Sequence, residues 1–153
     1  MAAEGAKADA GRGAPRELSR AEIDAFLESQ RIARLGCHAD GETYVVPVIY
    51  GYDGDSVVAV TTEGRKISML RANPSVCVEV DEYDTDGRGS WRSVIAQGAY
   101  EELSGDDVWA ALDVLRERFA RSAGRAAEPR PLGDDVVVFR VRLLELSVRA
   151  VER

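Results

Sequence analysis

The stretch RIARLGCHADGETYVVPVIYGY, residues 31–52, decides the fold of this chain. Ala33, Leu35 and Cys37 alternate with Arg34, Gly36 and His38, which is the period of a half-buried β-strand. Asp40–Gly41 supplies a two-residue hairpin turn, and a second strand runs from Glu42 to about Tyr52. Pro47 lies inside this second strand. Because proline has no backbone N–H to donate to a ladder, we expect an edge strand or a bulge there, where a ligand can approach the backbone.

Helices and further strands flank this hairpin. Before it, Ser19 and Glu22 form the capping box of a first helix. After it come a strand SVVAVTT, a short helix from Glu63 to Ala72, a strand from Ser75 to Asp81, a long strand from Trp91 to about Leu103, a helix opened by Ser104 or Gly105, and a final strand VVVFRVRLLELSV. Strands joined by tight turns pair antiparallel, and six of them with few helices close most economically as a barrel. The sequence therefore predicts a mainly β protein with flanking helices.

Composition limits the classes of protein that this chain can represent. Its 153 residues, 45% of them hydrophobic, fit a single domain over residues 16–153. Residues 1–15 are rich in Ala, Gly and charge, so we expect a disordered tail. Cys37 and Cys77 stand 40 positions apart without a His/Cys cluster, which predicts neither a metal site nor a disulfide.

Charge and hydropathy bear on the partners and the location. The net charge of −7 opposes general attraction to nucleic acid or to anionic membranes, so an anionic ligand needs a local basic site. No run approaches the roughly 18 to 20 apolar residues of a membrane span, and the first residues lack the apolar core of a secretory signal. We therefore expect a cytoplasmic protein.

The segment Thr61-Thr62-Glu63-Gly64-Arg65-Lys66 is the strongest candidate for such a basic site. It places two hydroxyls and two cations where a strand ends and a helix begins. Free N–H groups and the positive end of the helix dipole favour an anion there, and an arginine can donate to two phosphate oxygens at once. The pattern by itself also suits an ordinary solvated helix start.

Four motifs give the chain a resemblance to a known family over about residues 30 to 103. They are the Asp-Gly hairpin followed by VVPV, the helix opening EGRKISML, the strand entry NPSVCVEVDE and the strand WRSVIAQG. Together they resemble the FMN-binding split barrels related to pyridoxamine 5'-phosphate oxidase, and within them the nitroimidazole-resistance-like flavin proteins. The resemblance implies a six-stranded antiparallel split β-barrel.

The resemblance also implies a homodimer with FMN in a groove between its two subunits. The residues that it places around FMN are Arg65 and Lys66 at the phosphate, Thr61 and Thr62 beside them, the backbone of Val46, Pro47 and Val48 along the isoalloxazine ring, and Ser93 on the WRSVI strand. The C-terminal stretch RLLELSVRAVER lacks the arginine, histidine and tryptophan motif with which relatives grip vitamin B6 phosphates. Oxidation of those phosphates is therefore not expected.

Two functions from different classes follow from this resemblance. The first is a flavin-dependent oxidoreductase in which a nicotinamide or deazaflavin donor reduces FMN and a small electrophile, such as a nitro compound or a quinone, is reduced in turn. His38, the only histidine, is its candidate proton source, although a hydrogen-bonded histidine at a strand end is the structural alternative. The second is a non-catalytic flavin-binding or redox-partner module. A third interpretation is that the same groove binds another cofactor.

Overall fold

The structure is a computed structural model that describes residues 15–84, 87–123 and 132–152. Within these ranges it contains three helices and seven strands. In chain order they are α1 (Arg20–Ser29), β1 (Ile32–Ala39), β2 (Glu42–Ile49), β3 (Gly51–Tyr52), β4 (Ser56–Thr62), α2 (Arg65–Ala72), β5 (Ser75–Tyr83), β6 (Trp91–Glu102), α3 (Asp106–Ala123) and β7 (Val136–Val151). The tail predicted over residues 1–15 lies, except for Pro15, outside the described residues.

The strands form one curled antiparallel sheet in the order β2-β1-β5-β6-β7-β4-β3. The predicted mainly β, antiparallel split-barrel class is confirmed, but the predicted count of six strands is wrong. The second predicted strand divides at Tyr50, whose N–H donates to the Arg31 carbonyl at one edge of the sheet. The next residue, Gly51, already pairs with Val58 at the opposite edge. The chain therefore crosses from one edge to the other, and this crossing yields a seventh strand.

One apolar core fills the inside of the curled sheet. α1 contributes Ile23, Phe26 and Leu27 to it. The predicted capping box is confirmed: the Glu22 N–H donates to Ser19 Oγ at 3.2 Å, and the Ser19 N–H donates to the Glu22 carboxylate at 2.8 Å. This cap starts the helix at the position from which its apolar face meets the core.

A β-bulge in the long β6–β7 pair changes which residues of β7 face the core. Gln97 pairs with Glu145, but Gly98 pairs with Leu143, so Leu144 is an extra residue on β7. A Cβ at Gly98 would lie 2.4 Å from Val141 Cγ1, so only glycine fits this approach. Before the bulge the odd-numbered residues of β7 face the core, and after it the even-numbered ones do.

Helices cover only part of the outer face of the sheet. α3 packs Ala111 and Leu115 on Val58 of β4 and Val138 of β7. Over β2, β1, β5 and β6 no helix of the described ranges packs on the outer face, and apolar side chains stay exposed there: Ile32, Val45, Ile49 and Ile95. None of the described helices combines the length and the hydropathy that a membrane span needs.

Candidate functional site

The turn and the proline of the β1–β2 hairpin have the geometry that the sequence predicts. Asp40 and Gly41 have φ values of 52° and 76°, the left-handed pair of a tight hairpin turn. β2 is an edge strand, and Pro47 lies opposite Arg34 of β1. The bond from Tyr50 to the Arg31 carbonyl identifies a hydrogen-bonded pair, and such pairs alternate with non-bonded ones. Pro47 therefore occupies a non-bonded position and removes no bond from the ladder.

The same alternation shows which backbone groups of β2 are free. Those of Val46 and Val48 point towards β1, and the Val48 side chain is buried in the core. The Pro47 carbonyl, with the N–H and carbonyl groups of Val45 and Ile49, faces the open edge. Sequence reasoning named Val46, Pro47 and Val48 but missed the two flanking residues. Counting in twos from the hairpin turn would have found them.

The candidate phosphate segment lies where β4 ends and α2 begins. Thr61 is half-buried and Thr62 is exposed at the last two positions of β4. α2 begins at Arg65 rather than at the predicted Glu63, because Gly64 is the N-cap with an extended backbone. No side chain caps the first turn of this helix. Its first N–H groups therefore have no side-chain acceptor at the position where the sequence predicts an anion.

Arg65 extends from α2 to β2. Its Nη2 lies 2.6 Å from Glu42 Oε2, and its guanidinium carbon lies 4.8 Å from the centre of the Tyr44 ring. Both partners belong to β2, the strand that carries Pro47. The structure thus brings the candidate phosphate arginine to the strand along which the flavin ring was predicted.

Lys66 is half-buried on the core side of the same hairpin. Burial lowers the pKa of its ammonium group, and the nearby Cys37 thiol interacts with it electrostatically. Burial likewise raises the pKa of Cys37. Within the described ranges no carboxylate forms an ion pair with Lys66. A partly desolvated cation without a counter-charge fits an anionic group such as a phosphate.

The one carboxylate inside the candidate segment is held elsewhere. Both oxygens of Glu63 accept hydrogen bonds from Arg71, at 2.7 and 2.8 Å. Arg71 also donates twice to Glu102 of β6, at 2.6 and 2.9 Å, and this lowers the pKa of the Glu102 carboxyl. Because Arg71 holds Glu63, this carboxylate does not neutralise Arg65 or Lys66.

His38 and Ser93 lie on the outer face of the sheet, away from the two cations. The exposed His38 has Nδ1 3.1 Å from Thr43 Oγ1, so it is a hydrogen-bonded strand histidine. Ser93 is half-buried on β6, and β1 and β5 separate it from β2. Within one chain the structure does not bring either residue to Arg65 or Lys66.

A family model described as pyridoxamine 5'-phosphate oxidase matches residues 19–150, which is most of the chain. The chain belongs to the pyridoxamine 5'-phosphate oxidase family. The four motifs quoted from the sequence all lie inside the matched range, so the resemblance is confirmed. An uncharacterized protein of Rhizobium meliloti is 33% identical over 88 residues, which are 58% of this chain. The match spans only 57% of that relative's length.

Solved structures share the fold of this family member. An FAD-binding protein of Mesorhizobium loti is 33% identical, with a TM-score of 0.71 over 92% of this chain and 99% of that one. A Bacteroides thetaiotaomicron protein named for 5-nitroimidazole antibiotic resistance is 18% identical, with a TM-score of 0.72 over 92% and 90%. An FAD and heme binding protein of Mycobacterium smegmatis is 22% identical, with a TM-score of 0.66 over 88% and 70%. Similar folds therefore occur in proteins named for flavin and for heme.

In this member of the pyridoxamine 5'-phosphate oxidase family, the candidate site combines two kinds of group. The start of α2 offers two cations, two hydroxyls and uncapped N–H groups, which suit a phosphate. The open edge of β2 offers alternating backbone donors and acceptors, which suit the polar edge of a flat ring. Arg65 joins the two through its contacts with Glu42 and Tyr44.

Proposed function

We propose that this chain is an FMN-binding flavoprotein that works as a flavin-dependent oxidoreductase. One observation carries the proposal: Lys66 is a half-buried cation that no described carboxylate neutralises, at the uncapped start of α2. An anion bound there gains a charge-assisted hydrogen bond and offsets the desolvation of the ammonium group. Arg65, Thr61 and Thr62 lie within five residues of it and complete a phosphate cradle.

The flavin ring is proposed to lie along β2, between the hairpin turn and Tyr50. The Pro47 carbonyl and the free backbone groups of Val45 and Ile49 face this edge, and the Tyr44 ring lies at the end nearer to Arg65. Such a placement leaves the phosphate at α2 and the ring at the edge strand. Bound flavin supplies the hydride chemistry, and the chain supplies binding, orientation and exclusion of water.

A second copy of the chain is proposed to close the groove. Four apolar side chains are exposed on the uncovered outer face, where Ile32 pairs with Ile49 and the others are Val45 and Ile95. Exposed apolar side chains that no helix of the described ranges covers favour burial against a partner surface. Ser93 and His38 share this outer face, and they are proposed to contact a flavin that binds where two subunits meet. His38 is then the proposed proton source for the reduced substrate.

Two alternatives keep the same groove but change its use. A non-catalytic flavin module would bind FMN without turnover. In the second alternative, FAD or heme occupies the groove in place of FMN, as the names of similar structures suggest.

The main proposal also includes the reactants and the location. The electron donor is a nicotinamide or a deazaflavin, the acceptor is a small electrophile, and the protein is cytoplasmic.

The test is an absorbance spectrum of the purified protein before and after addition of FMN, FAD or hemin, followed by anaerobic NADPH. We expect flavin bands with FMN that bleach on reduction. Bands that persist with both NADPH and a reduced deazaflavin would support the non-catalytic module. A Soret band in place of flavin bands would support heme, and uptake of neither flavin nor hemin would disprove the cofactor assignment.

The dimer is tested with Ile95→Lys, which puts a charge on the uncovered face beside Glu79. Because Ile95 is exposed in the single chain, we expect the monomer to stay folded while the dimer dissociates and FMN affinity falls about tenfold or more. The control is Leu144→Lys, at an apolar side chain that is 66% exposed on β7. Light scattering after gel filtration measures the mass, and equal masses for wild type and Ile95→Lys would reject this face as the interface.

A further inference from the structure

The ion pair between Arg65 and Glu42 bears on how tightly the proposed phosphate cradle binds its ligand. The two side chains pair at 2.6 Å, although each is more than half exposed, at 57% and 65%. Arg65 stacks at the same time on Tyr44. A phosphate that binds the guanidinium must therefore displace the Glu42 carboxylate from it.

Lys66 differs from its neighbour in this respect. Among the described residues no carboxylate forms an ion pair with Lys66, whereas Glu42 forms one with Arg65. The two cations of the cradle are thus available to a ligand to different degrees. Glu42 lies on β2 at the first position after the hairpin turn, so the tight turn fixes the backbone position from which its side chain reaches Arg65.

We propose that Glu42 is a resident competitor that sets the affinity of this site for phosphate-ended ligands by occupying Arg65 in their absence. The proposal rests on the proposed function, because it takes Arg65 as a phosphate ligand. Glu42 acts through Arg65 and does not itself bind the ligand. Tyr44 keeps the guanidinium near the groove while its ionic partner changes, since stacking on the ring face uses none of the N–H groups.

The direction of the effect separates competition from support. If Glu42 supported the cradle, removing its carboxylate would weaken ligand binding. If Glu42 competes, Glu42→Gln tightens FMN binding, and we expect about two- to fivefold, the size that fits the loss of one exposed ion pair. Inorganic phosphate, titrated without FMN, should also bind this variant more tightly than it binds wild type. Glu42→Asp, which keeps the carboxylate, should stay closer to wild type.

The experiment is a fluorescence titration of FMN into wild type, Glu42→Gln, Arg65→Ala and the double variant. Competition through Arg65 predicts that Glu42→Gln has no effect once Arg65 is alanine. Glu63→Gln is the matched control, because it removes the same charge two residues from Arg65 at a carboxylate that Arg71 holds. We expect it to give less than half the gain of Glu42→Gln.

The outcomes separate the two proposals. If wild type takes up no FMN, the proposed function fails and this inference fails with it. If wild type binds FMN but Glu42→Gln binds equally or more weakly, only the inference fails. It also fails if Glu63→Gln tightens binding as much, or if Glu42→Gln still tightens binding in the Arg65→Ala background, because the effect is then general electrostatics.

Discussion

The two ends of α2 balance their charges in opposite ways. At the last turn, the single cation Arg71 meets two carboxylates, Glu63 and Glu102. At the first turn there are two cations, of which Arg65 pairs with the single carboxylate Glu42 and Lys66 pairs with none among the described residues. The last turn therefore has an excess of negative charge, and its ion pairs tie the helix to the neighbouring strands. The first turn has an excess of positive charge, and this excess is what a ligand anion can use.

The helix dipole increases this difference. The start of a helix carries partial positive charge and favours anions, and here no side chain caps it. The end of a helix favours cations, which is where Arg71 lies. One helix of eight residues therefore has a structural end and a candidate binding end. Substitutions at the two ends should change different properties of the protein.

Lys66→Met should have the largest effect. We expect FMN affinity to fall about 10- to 100-fold, because a charge-assisted bond to the phosphate is lost. The midpoint of thermal unfolding should not fall, since burial disfavours the ammonium group in the absence of ligand. Fluorescence titration and calorimetry measure the two quantities. Lys66→Arg is the control that keeps the charge, and unchanged affinity in Lys66→Met would contradict the assignment.

Arg71→Ala should have the converse effect. Glu63 and Glu102 lose their common partner and repel each other, so we expect the midpoint of thermal unfolding to fall by a few degrees. FMN affinity should change less than in Lys66→Met. Arg116→Ala, which removes an exposed pair within α3, is the control and should leave the midpoint nearly unchanged. If FMN affinity falls as much in Arg71→Ala as in Lys66→Met, the last turn also contributes to ligand binding.

Acid should reduce the contribution of the Arg71 cluster, and this is the smallest effect. The pKa of Glu102 is lowered by its bonds to Arg71, so its stabilising contribution is present above the unfolded carboxylate pKa of about 4.3. The contribution disappears as the pH falls through the lower folded value. Thermal melts of wild type and Glu102→Gln should therefore differ most near pH 7 and converge as the pH falls through the lowered folded pKa of Glu102. A difference that stays constant with pH would remove the ion pair as its cause.

Local signals predicted the elements that carry the candidate site. The Asp40–Gly41 turn, the edge position of Pro47 and the Ser19 capping box all follow from short-range rules, and the structure confirms them. The residues proposed for the phosphate come from one contiguous segment, so the chain itself keeps them together. That these residues bind a phosphate stays a prediction, and so do the roles of His38 and Ser93.

Long-range pairings were not accessible from the sequence. Nothing local indicates that Glu42 meets Arg65, 23 residues away, or that Glu63 is held by Arg71. The strand division at Tyr50 was missed because the apolar pattern continues through it while the hydrogen-bond partner changes. The period of β7 was clear only up to Leu143, since the bulge reverses the alternation beyond that point.

The crossing at Tyr50 has a mechanical consequence for the candidate ligand edge. Force on β2 reaches β3, at the opposite edge, through covalent bonds of the main chain. The buried Tyr50 hydroxyl donates to the Leu27 carbonyl of α1 at 2.6 Å, which anchors this end of β2. The tight Asp40–Gly41 turn anchors the other end. β2 is thus held at both ends and along its bonds to β1, while its outer edge forms no main-chain bond within the described residues, so a ligand can bind that edge without breaking a bond of the sheet.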